Sequence, residues 1–319
     1  MNDRLPPLTA LRAFDAAARH MSFAKAADEL NVTPAALSFQ IKSLEDHLGA
    51  PVFRRLNRAI ELTEAGHTLV PGTRDGFAAL TAAWRGAQRV TDTSTITVTA
   101  GPAFTAKWLA PRMFEFAQAH PEIELRFTAT LRLLDFARDD VDVAIRFGMP
   151  HDEDAFARSI INEWVTPMMS PELAETIREP VDLASATLLH QDDVTFLKPS
   201  IQWPAWFAAA GLGAPPTGGL RFSQADHALD SALTGTGVVL GRVSLAARDL
   251  AEGRLVMPFD LSLTTEAHYR LICANGSEKR PHIKTFLDWI ESQTSEILAL
   301  DKGRRFVTAA SVEDASNVR

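Results

Sequence analysis

The stretch FAKAADELNVTPAALSFQIKSLE, residues 23–45, constrains the fold more than any other part of the chain. It holds two amphipathic helical patterns that flank the sequence NVTP. Asn31 tolerates the left-handed backbone that a tight turn between helices requires. Thr33 with Pro34 is typical of an N-cap and the first residue of a helix. With the apolar repeat over residues 8–19 before it, the stretch predicts a unit built around a helix-turn-helix.

The third predicted helix has one buried face and one unusual exposed face. Its buried stripe is formed by Leu37, Ile41, Leu44 and Leu48, and its opposite face carries Ala35, Ser38, Phe39, Lys42 and Ser43. Small side chains on such a face permit close approach to the major groove of DNA, and a phenyl ring at position 39 is able to contact a thymine methyl. We therefore predict that this helix reads double-stranded DNA.

The segment that follows, GAPVFRRLNRAIELTEAG, adds the guanidinium groups of Arg54, Arg55 and Arg58 on a short apolar hairpin. Beside a recognition helix, hairpin arginines bind phosphates or enter the minor groove. The alternative is a solvated arginine cluster on an ordinary three-helix bundle. The position next to the helix-turn-helix favours the DNA-binding interpretation.

The charge distribution also places nucleic-acid contacts near the N-terminus. The 319-residue chain has a formal net charge of -8. Residues 1–90 contain 11 Lys and Arg against 9 Asp and Glu, whereas the remainder contains 21 against 31. The first ninety residues are thus slightly basic within an acidic chain.

Several functional classes lack their sequence signatures. The single cysteine, Cys273, precludes an internal disulfide, and no Cys/His set has the spacing of a metal site. No nucleophile elbow, dinucleotide or phosphate-loop fingerprint is found, so we predict a non-enzyme without cofactor or metal. The chain starts without a secretory signal and no apolar run approaches roughly 18 residues, which predicts a cytoplasmic protein without a membrane partner. An enzyme or a solute-binding protein of two lobes stays the alternative.

The run LTALRAFDAAARHMSFAKAADELNVTPAALSFQIKSLEDHLGAPVFRR, followed by LTEAG, resembles the winged helix-turn-helix of the LysR-type transcriptional regulators. The resemblance extends over residues 5–297, and LPPLTALRAFDAAARHMSF and DVDVAIRFG are most similar to the branch of the glycine-cleavage activator. It implies a bacterial, nucleoid-associated homotetramer that binds promoter DNA as a dimer of dimers. It further implies a small-molecule effector and contact with RNA polymerase.

The resemblance also implies which residues contact DNA. Carried over by position, the family's contacts fall on Thr33, Pro34, Ala35, Ser38 and Lys42, with backbone and wing contacts from Arg54, Arg55 and Arg58. Ser22, a good N-cap for the second helix, and Phe39 complete the predicted DNA-binding set. Phe39 departs from the family pattern, because relatives usually have a polar residue there.

A long helix predicted after residue 63 carries a heptad stripe. Val70, Phe77 and Trp84 recur every seven residues, and Thr73, Leu80 and Ala87 follow three residues after each. Such a stripe predicts a partner helix, and the resemblance implies that two chains dimerise here. The predicted dimer contacts are Val70, Phe77, Leu80, Trp84 and Ala87. An ordinary core helix is the alternative, and Pro71 predicts a kink.

Beyond residue 93, strand patterns alternate with helical patterns. TSTITVTA, EIELRFTAT and VDVAIRFG are typical of strands, and a second set of alternating elements begins near Thr166. This alternation predicts an α/β fold with a parallel, doubly wound sheet. Two sub-domains joined by crossover strands, similar to periplasmic binding proteins, account for the two sets.

The predicted domains follow from these patterns. They are a winged helix-turn-helix over 1–62, a linker helix over 63–92 and an effector-binding domain over 93–297. In the last of these, sub-domain I covers 93–165 and 268–297, and sub-domain II covers 166–267. Residues 298–319 mix charge with Ala, Ser and Asn without an apolar period, and we predict a disordered tail.

The ligand cleft of such a fold lies between the sub-domains, where strands end. The predicted effector contacts are Gly101, Pro102, Ala103, Phe104, Thr105, Thr128, Thr130, Arg146, Phe147, Gln191, Ser223, Gln224 and Asp226. Relatives often have Ser or Thr where this chain has residues 101–104, which points to a smaller or more apolar effector. As an alternative, Arg146 pairs with Asp140 or Asp142 at the surface.

Overall fold

Two units make up the computed structural model, Met1–Val90 and Thr91–Arg319. The structure describes residues 4–55, 60–91, 93–132, 134–136, 139–149 and 154–317. Within these ranges, no helix combines the length and the apolar character needed to cross a bilayer.

The first unit forms helices where the sequence predicts them. They are α1 (Leu8–His20), α2 (Phe23–Leu30) and α3 (Pro34–Leu48), followed by strands β1 (Phe53–Arg55) and β2 (Ile60–Leu62) and by the long helix α4 (Glu64–Thr91). The two strands are antiparallel, so the helices and the hairpin form a winged helix-turn-helix. Helix α4 runs through Pro71 without interruption.

The hairpin is fixed to the helices by close contacts. The ring of Phe14 in α1 lies 5.4 Å from that of Phe53 in β1, and Glu45 Oε1 accepts the backbone N–H of Val52 at 2.9 Å. A Cβ at Gly66 would lie 2.3 Å from the Val52 carbonyl oxygen. Helix α4 therefore begins against the hairpin because glycine allows the backbones to approach.

The second unit alternates strands and helices. Its first part contains β3 (Thr95–Ala100), α5 (Pro102–Phe104), α6 (Met113–Ala119), β4 (Glu124–Ala129), β5 (Val143–Gly148), β6 (Phe156–Met168), α7 (Pro171–Ala174), β7 (Leu188–Gln191) and α8 (Trp203–Ala209). Its second part contains β8 (Leu220–Phe222), α9 (Ala225–Leu233), β9 (Val238–Arg242), α10 (Val243–Ala251), β10 (Leu261–Cys273), α11 (Pro281–Ser292), α12 (Ser295–Ala299), β11 (Arg305–Thr308) and α13 (Ala309–Asn317). A π-helical turn (Thr105–Leu109) and a 3-10 turn (Ala110–Arg112) connect α5 to α6.

The sheet of the second unit is mixed, not parallel throughout. Its strand order is β4-β3-β5-β10-β6-β9-β7-β8, with β11 on β10. Strand β3 is parallel to β4 and β5, and β7 is parallel to β8 and β9. Strand β10 is antiparallel to β5 and β6, and β6 to β9. The predicted parallel arrangement holds only within each half, because β6 and β10 run from one half to the other.

Strands β6 and β10 are the crossovers between the two halves. Each spans 13 residues, and their register shifts between Thr264 and His268 of β10. Two buried clusters pack along them. The first includes Val98, Ile145 and Tyr269, and the second includes Leu188, Trp206 and Leu261. The cavity described below lies between these halves.

The prediction of a disordered tail over residues 298–319 was wrong for residues 298–317, the part of the tail that the structure describes. Strand β11 pairs in parallel with Leu261–Thr264 of β10, an edge that β5 leaves open because it pairs only with His268–Ile272. An open edge exposes unpaired N–H and C=O groups, which β11 satisfies. Beside it, Arg304 donates to Thr166 Oγ1 at 2.7 Å, and Val312 of α13 is buried in the second cluster.

Candidate DNA-binding face and effector cleft

The turn between α2 and α3 is formed by the residues that the sequence singles out. Asn31 is left-handed, with φ 54° and ψ 44°. Thr33 Oγ1 accepts the N–H of Ala36 at 3.1 Å, and Ser22 Oγ accepts the N–H of Lys25 at 3.4 Å. Each hydroxyl caps its helix and keeps its own O–H as a donor, which suits contact with a phosphate.

The face of α3 that turns away from the core is open to solvent. Thr33, Pro34, Ala35 and Lys42 are exposed, and Ser38 is half-buried. Phe39 is 70% exposed, which costs hydrophobic free energy until a partner covers the ring. Because residues three and four apart share one side of a helix, positions 35, 38, 39 and 42 form one surface.

Of the three arginines predicted on the hairpin, the structure describes the side chain of one. Arg54 is exposed on β1. Arg55 pairs through its backbone with Ile60 of β2, and Arg58 lies outside the described residues. The described part of the hairpin therefore adds one solvent-facing guanidinium beside α3.

The heptad stripe of α4 divides into two parts. Val70 and Phe77 are half-buried against the core of the first unit, as the core-helix alternative expects. Leu80 and Trp84 are 54% and 67% exposed, and Ala87 is exposed as well. The second part of the stripe is thus an apolar surface that the single chain leaves uncovered.

In the second unit, a cavity of about 1160 Å³ lies between the two halves. Seven of the predicted effector residues line it, namely Gly101, Pro102, Ala103, Phe104, Arg146, Phe147 and Gln224. Gly101 follows the end of β3, the next three residues form α5, and Arg146 and Phe147 lie near the end of β5. The strand ends that the sequence selects do converge on one cavity.

The other predicted effector residues do not line the cavity. Gln191 is buried and its Nε2 donates to the Leu240 carbonyl at 2.8 Å, while Thr105 Oγ1 donates to the Gly101 carbonyl at 3.0 Å. Thr130 Oγ1 accepts a nearby backbone N–H. Thr128, Ser223 and Asp226 also lie outside the cavity wall. Three of these side chains form hydrogen bonds with backbone groups and do not face the cavity.

The sequence did not single out the charged centre of the cavity. Arg242, at the end of β9, is only 4% exposed and donates to Asp193 Oδ2. Its guanidinium carbon lies 5.0 Å from the centre of the Phe147 ring, and its Nη1 is 3.4 Å from the hydroxyl of Tyr269. Four residues from four separate segments therefore meet at one point of the wall.

Glu163 lies buried behind this centre. Its Oε1 accepts the backbone N–H of Ser244 at 3.2 Å, and its Oε2 accepts the Ser244 hydroxyl. Burial raises the pKa of Glu163, and the positive charge of Arg242 opposes that rise. Burial likewise raises the pKa of Tyr269, so its phenol stays neutral. One cation thus lies near two buried carboxyl groups.

An aromatic wall continues from this centre. The ring of Tyr269 lies 4.3 Å from Phe104 and 5.0 Å from Phe147, and Phe104 stacks on Trp108 at 4.9 Å. Such rings offer apolar contact area with few polar atoms. This side of the cavity is therefore largely apolar.

Arg146 has no carboxylate partner among the described residues. Its N–H groups bind the Thr99 carbonyl, the Thr99 hydroxyl and the Ile145 carbonyl. Burial lowers the pKa of Arg146 because no anion offsets the lost hydration. The surface pairs with Asp140 and Asp142 that were the alternative do not form.

Metal and thiol chemistry find no support in the described part of the chain. Within it, no three His, Cys, Asp or Glu side chains are grouped to hold a metal ion. Burial raises the pKa of the Cys273 thiol to about 11, so the thiol is protonated and unreactive at neutral pH.

Comparison with known proteins gives the same division into two parts. Residues 8–67 match the family of bacterial regulatory helix-turn-helix proteins of the lysR family, and residues 90–295 match the LysR substrate binding domain. The chain is 39% identical to the glycine cleavage system transcriptional activator of Escherichia coli (strain K12), over 91% of this chain and 94% of that protein. It is 36% identical to the transcriptional activator AmpR of Citrobacter koseri, over 89% and 97%. The effector domain of AmpR from Pseudomonas aeruginosa is similar in structure, with a TM-score of 0.52 and 30% identity, covering 66% of this chain and 98% of that one.

Proposed function

The chain belongs to the LysR family of transcriptional regulators, and we propose that it binds promoter DNA as a dimer of dimers under the control of a small-molecule effector. It is a DNA-binding regulator and not an enzyme. The observation that carries the proposal is the open face of α3, where Ser38, Phe39 and Lys42 follow the capped start of the helix on one surface. We place its action in the bacterial cytoplasm, at the nucleoid, and propose that RNA polymerase is a partner at the promoter.

Binding through two linked units compensates for the low DNA affinity that the small positive charge of one DNA-binding unit provides. A net charge near +2 neutralises few phosphates. Two linked units bind two half-sites with a high effective concentration, which raises the overall affinity without new contacts. The exposed side chains of Leu80 and Trp84 on α4 supply an apolar surface for pairing two chains.

The effector site that we propose is the cleft side of the cavity. It is formed by the aromatic wall and by the centre of Arg242 and Asp193. Because β6 and β10 connect the two halves, a ligand that touches both halves favours one arrangement of these strands over another. An effector changes DNA binding only through such a difference in affinity between two arrangements.

A titration with salt tests the DNA-binding proposal. We expect the purified chain to bind labelled DNA from upstream of its own gene more tightly than unrelated DNA, by fluorescence anisotropy. Lys42→Ala should weaken binding to both DNAs and reduce the slope of log K against log salt by about 1, because one phosphate contact is lost. Lys302→Ala, at an exposed position of the second unit, is the matched control and should leave the slope unchanged.

The proposal fails if the upstream DNA binds no tighter than unrelated DNA at both salt concentrations, with and without lysate small molecules. An unchanged slope for Lys42→Ala would instead remove this lysine from the contact surface and leave the regulator assignment intact.

Replacing thymine by uracil tests the role of Phe39. The ring is exposed on the surface that faces DNA, and apolar contact with the thymine methyl is the base recognition open to it. We expect the wild-type chain to bind a uracil-substituted promoter fragment roughly five- to tenfold more weakly than the thymine fragment, equivalent to about 1 kcal/mol. Phe39→Gln should bind both fragments alike. Equal loss in the wild type and in Phe39→Gln would show that another side chain reads the methyl group.

A further inference from the structure

The C-terminal strap, residues 301–312, holds one tryptophan of the crossover strand β6. Trp164 Nε1 donates to Asp301 Oδ1 at 2.8 Å. The guanidinium carbon of Arg304 lies 5.2 Å from the centre of the Trp164 ring, and the Phe306 ring meets the same ring edge-on, with the centres 5.7 Å apart. Three residues of the strap therefore fix the position of this buried ring.

The strap also joins β6 to the second crossover strand, β10. Arg304 Nη2 donates to Thr166 Oγ1 of β6 at 2.7 Å, and its Nε donates to Ser262 Oγ of β10 at 3.0 Å. Both hydroxyl residues are fully buried, and β11 pairs alongside β10 at the same place. Because a guanidinium presents its donors in a fixed plane, one side chain of the strap holds the two crossover strands together.

These contacts lie beside an irregularity in the pairing of the crossover strands. Thr264 pairs with Trp164 and His268 pairs with Asn162, so β10 advances four residues where β6 advances two. A bulge of this kind leaves residues out of the ladder and allows a strand to bend. The strap therefore holds the crossover strands next to the point where their backbone pairing is interrupted.

Glu163 lies in the same irregularity and connects it to the cavity wall. Neighbouring residues of a strand face opposite sides of the sheet, so Glu163 points away from the strap that contacts Trp164. Its Oε1 accepts the backbone N–H of Ser244 at 3.2 Å, and the positive charge of Arg242 acts on its carboxyl group. The strap and the charged centre of the cavity thus hold the same short piece of backbone from opposite sides.

We infer that the strap is a control element of the effector-binding domain, which positions Trp164 and Glu163 and thereby biases the arrangement of the two halves around the cavity. The strap lies beyond residues 90–295, which match the substrate binding domain of the family. Two sites that bias one element are coupled, and the coupling acts in both directions. The inference rests on the proposed effector control for its regulatory meaning, but the coupling itself is measurable without DNA or effector.

Hydrogen–deuterium exchange on the full chain, resolved to single amides, tests the coupling from both ends. Arg304→Met breaks the bridge made by the strap, and the Ser244 amide, which donates to Glu163, should exchange roughly fivefold faster or more, at the lower end of couplings between sites. Ser244→Ala removes a hydroxyl that donates to Glu163 on the cavity side. In that variant the Arg305 amide, which donates to the Asp260 carbonyl at 2.9 Å, should also exchange faster.

Arg305→Met is the matched control, because this side chain is exposed and the strand pairing of its backbone does not depend on it. The Ser244 amide should exchange in this variant as in the wild type. If Arg304→Met does not fold, Phe306→Ala carries the test, since it removes only a partly exposed ring beside Trp164.

Three outcomes would overturn the inference. The Ser244 amide exchanges at the wild-type rate in the strap variants, or the Arg305 amide does so in Ser244→Ala. Alternatively, all amides of the second unit exchange faster in the strap variants by one common factor, which would reduce the strap to a support of overall stability. Promoter binding by the wild type is measured separately, so a failure of the regulator proposal is distinguished from a failure of the coupling.

Discussion

Trp84→Asp should weaken binding to a promoter with two half-sites by roughly 100-fold or more, because it places a charge in the predicted pairing surface of α4. Trp84 is 67% exposed in the single chain, and Leu80 beside it is 54% exposed. Burying an aspartate against a partner helix without a compensating cation costs more free energy than such an apolar contact provides. We expect light scattering to show a smaller oligomer for this variant at concentrations where the wild type is assembled.

Ala79→Asp is the matched control for Trp84→Asp. Position 79 is exposed on the same helix and lies about 140° around its axis from Trp84, at 100° per residue. Both variants place one aspartate within α4, so any cost in helix propensity is shared. Unchanged assembly and DNA affinity in Trp84→Asp would show that chains pair elsewhere. Equal losses in both variants would indicate damage to the helix and not to an interface.

The DNA-binding unit could be predicted because its signals are local. Asn31, Thr33 and Pro34 set the turn and the start of α3, and Gly49 ends the helix with φ 77°. Each acts through hydrogen bonds and backbone angles within a few residues, which sequence patterns record directly. The stripe on α4 was harder to interpret, because the same apolar spacing also places Val70 and Phe77 against the core of the first unit.

The second unit resisted prediction where its structure depends on distant pairing. Strand β6, FARSIINEWVTPM, is buried differently along its length because it crosses both halves, so no single alternation marks it. Strand β11 has only four residues, and its partner segment in β10 precedes it by about forty positions. Local composition does not encode which edge such segments fill.

The cleft shows the same division between local and distant information. Residues 101–104, which the strand pattern before them singled out, line the cavity. Arg242, Asp193 and Tyr269 come together only in the folded sheet, and no sequence spacing links them. The two faces of β5, however, were available from the sequence, because adjacent residues such as Arg146 and Phe147 cannot point to the same side of a strand.

Arg242→Met should lower the free energy of unfolding of the second unit by about 3–5 kcal/mol, because it leaves buried carboxyl groups without their cation. Asp193 loses its ion pair, and Glu163 loses the nearby positive charge. Five of the six tryptophans lie in this unit, so their emission in urea follows its unfolding. The double variant Arg242→Met with Asp193→Leu should recover much of the loss, since it removes a buried charge together with its partner. Arg248→Met, at an exposed pair with Glu252, should change nothing measurable.

The pH dependence of the Arg242→Met variant separates charge from packing. Asp and Glu have pKa values near 4 in unfolded chains, and burial already raises the pKa of Glu163 in the folded chain. A carboxyl group whose folded pKa is raised stabilises the fold below its unfolded pKa, and this contribution is lost as the pH rises. Without Arg242, the rise in the pKa of Glu163 is no longer opposed, so the loss of unfolding free energy in the variant should be smallest near pH 4 and grow toward pH 7. A deficit of the same size at both pH values would mean that the lost packing of the Arg242 side chain on Phe147, and not an unpaired charge, is what destabilises the variant.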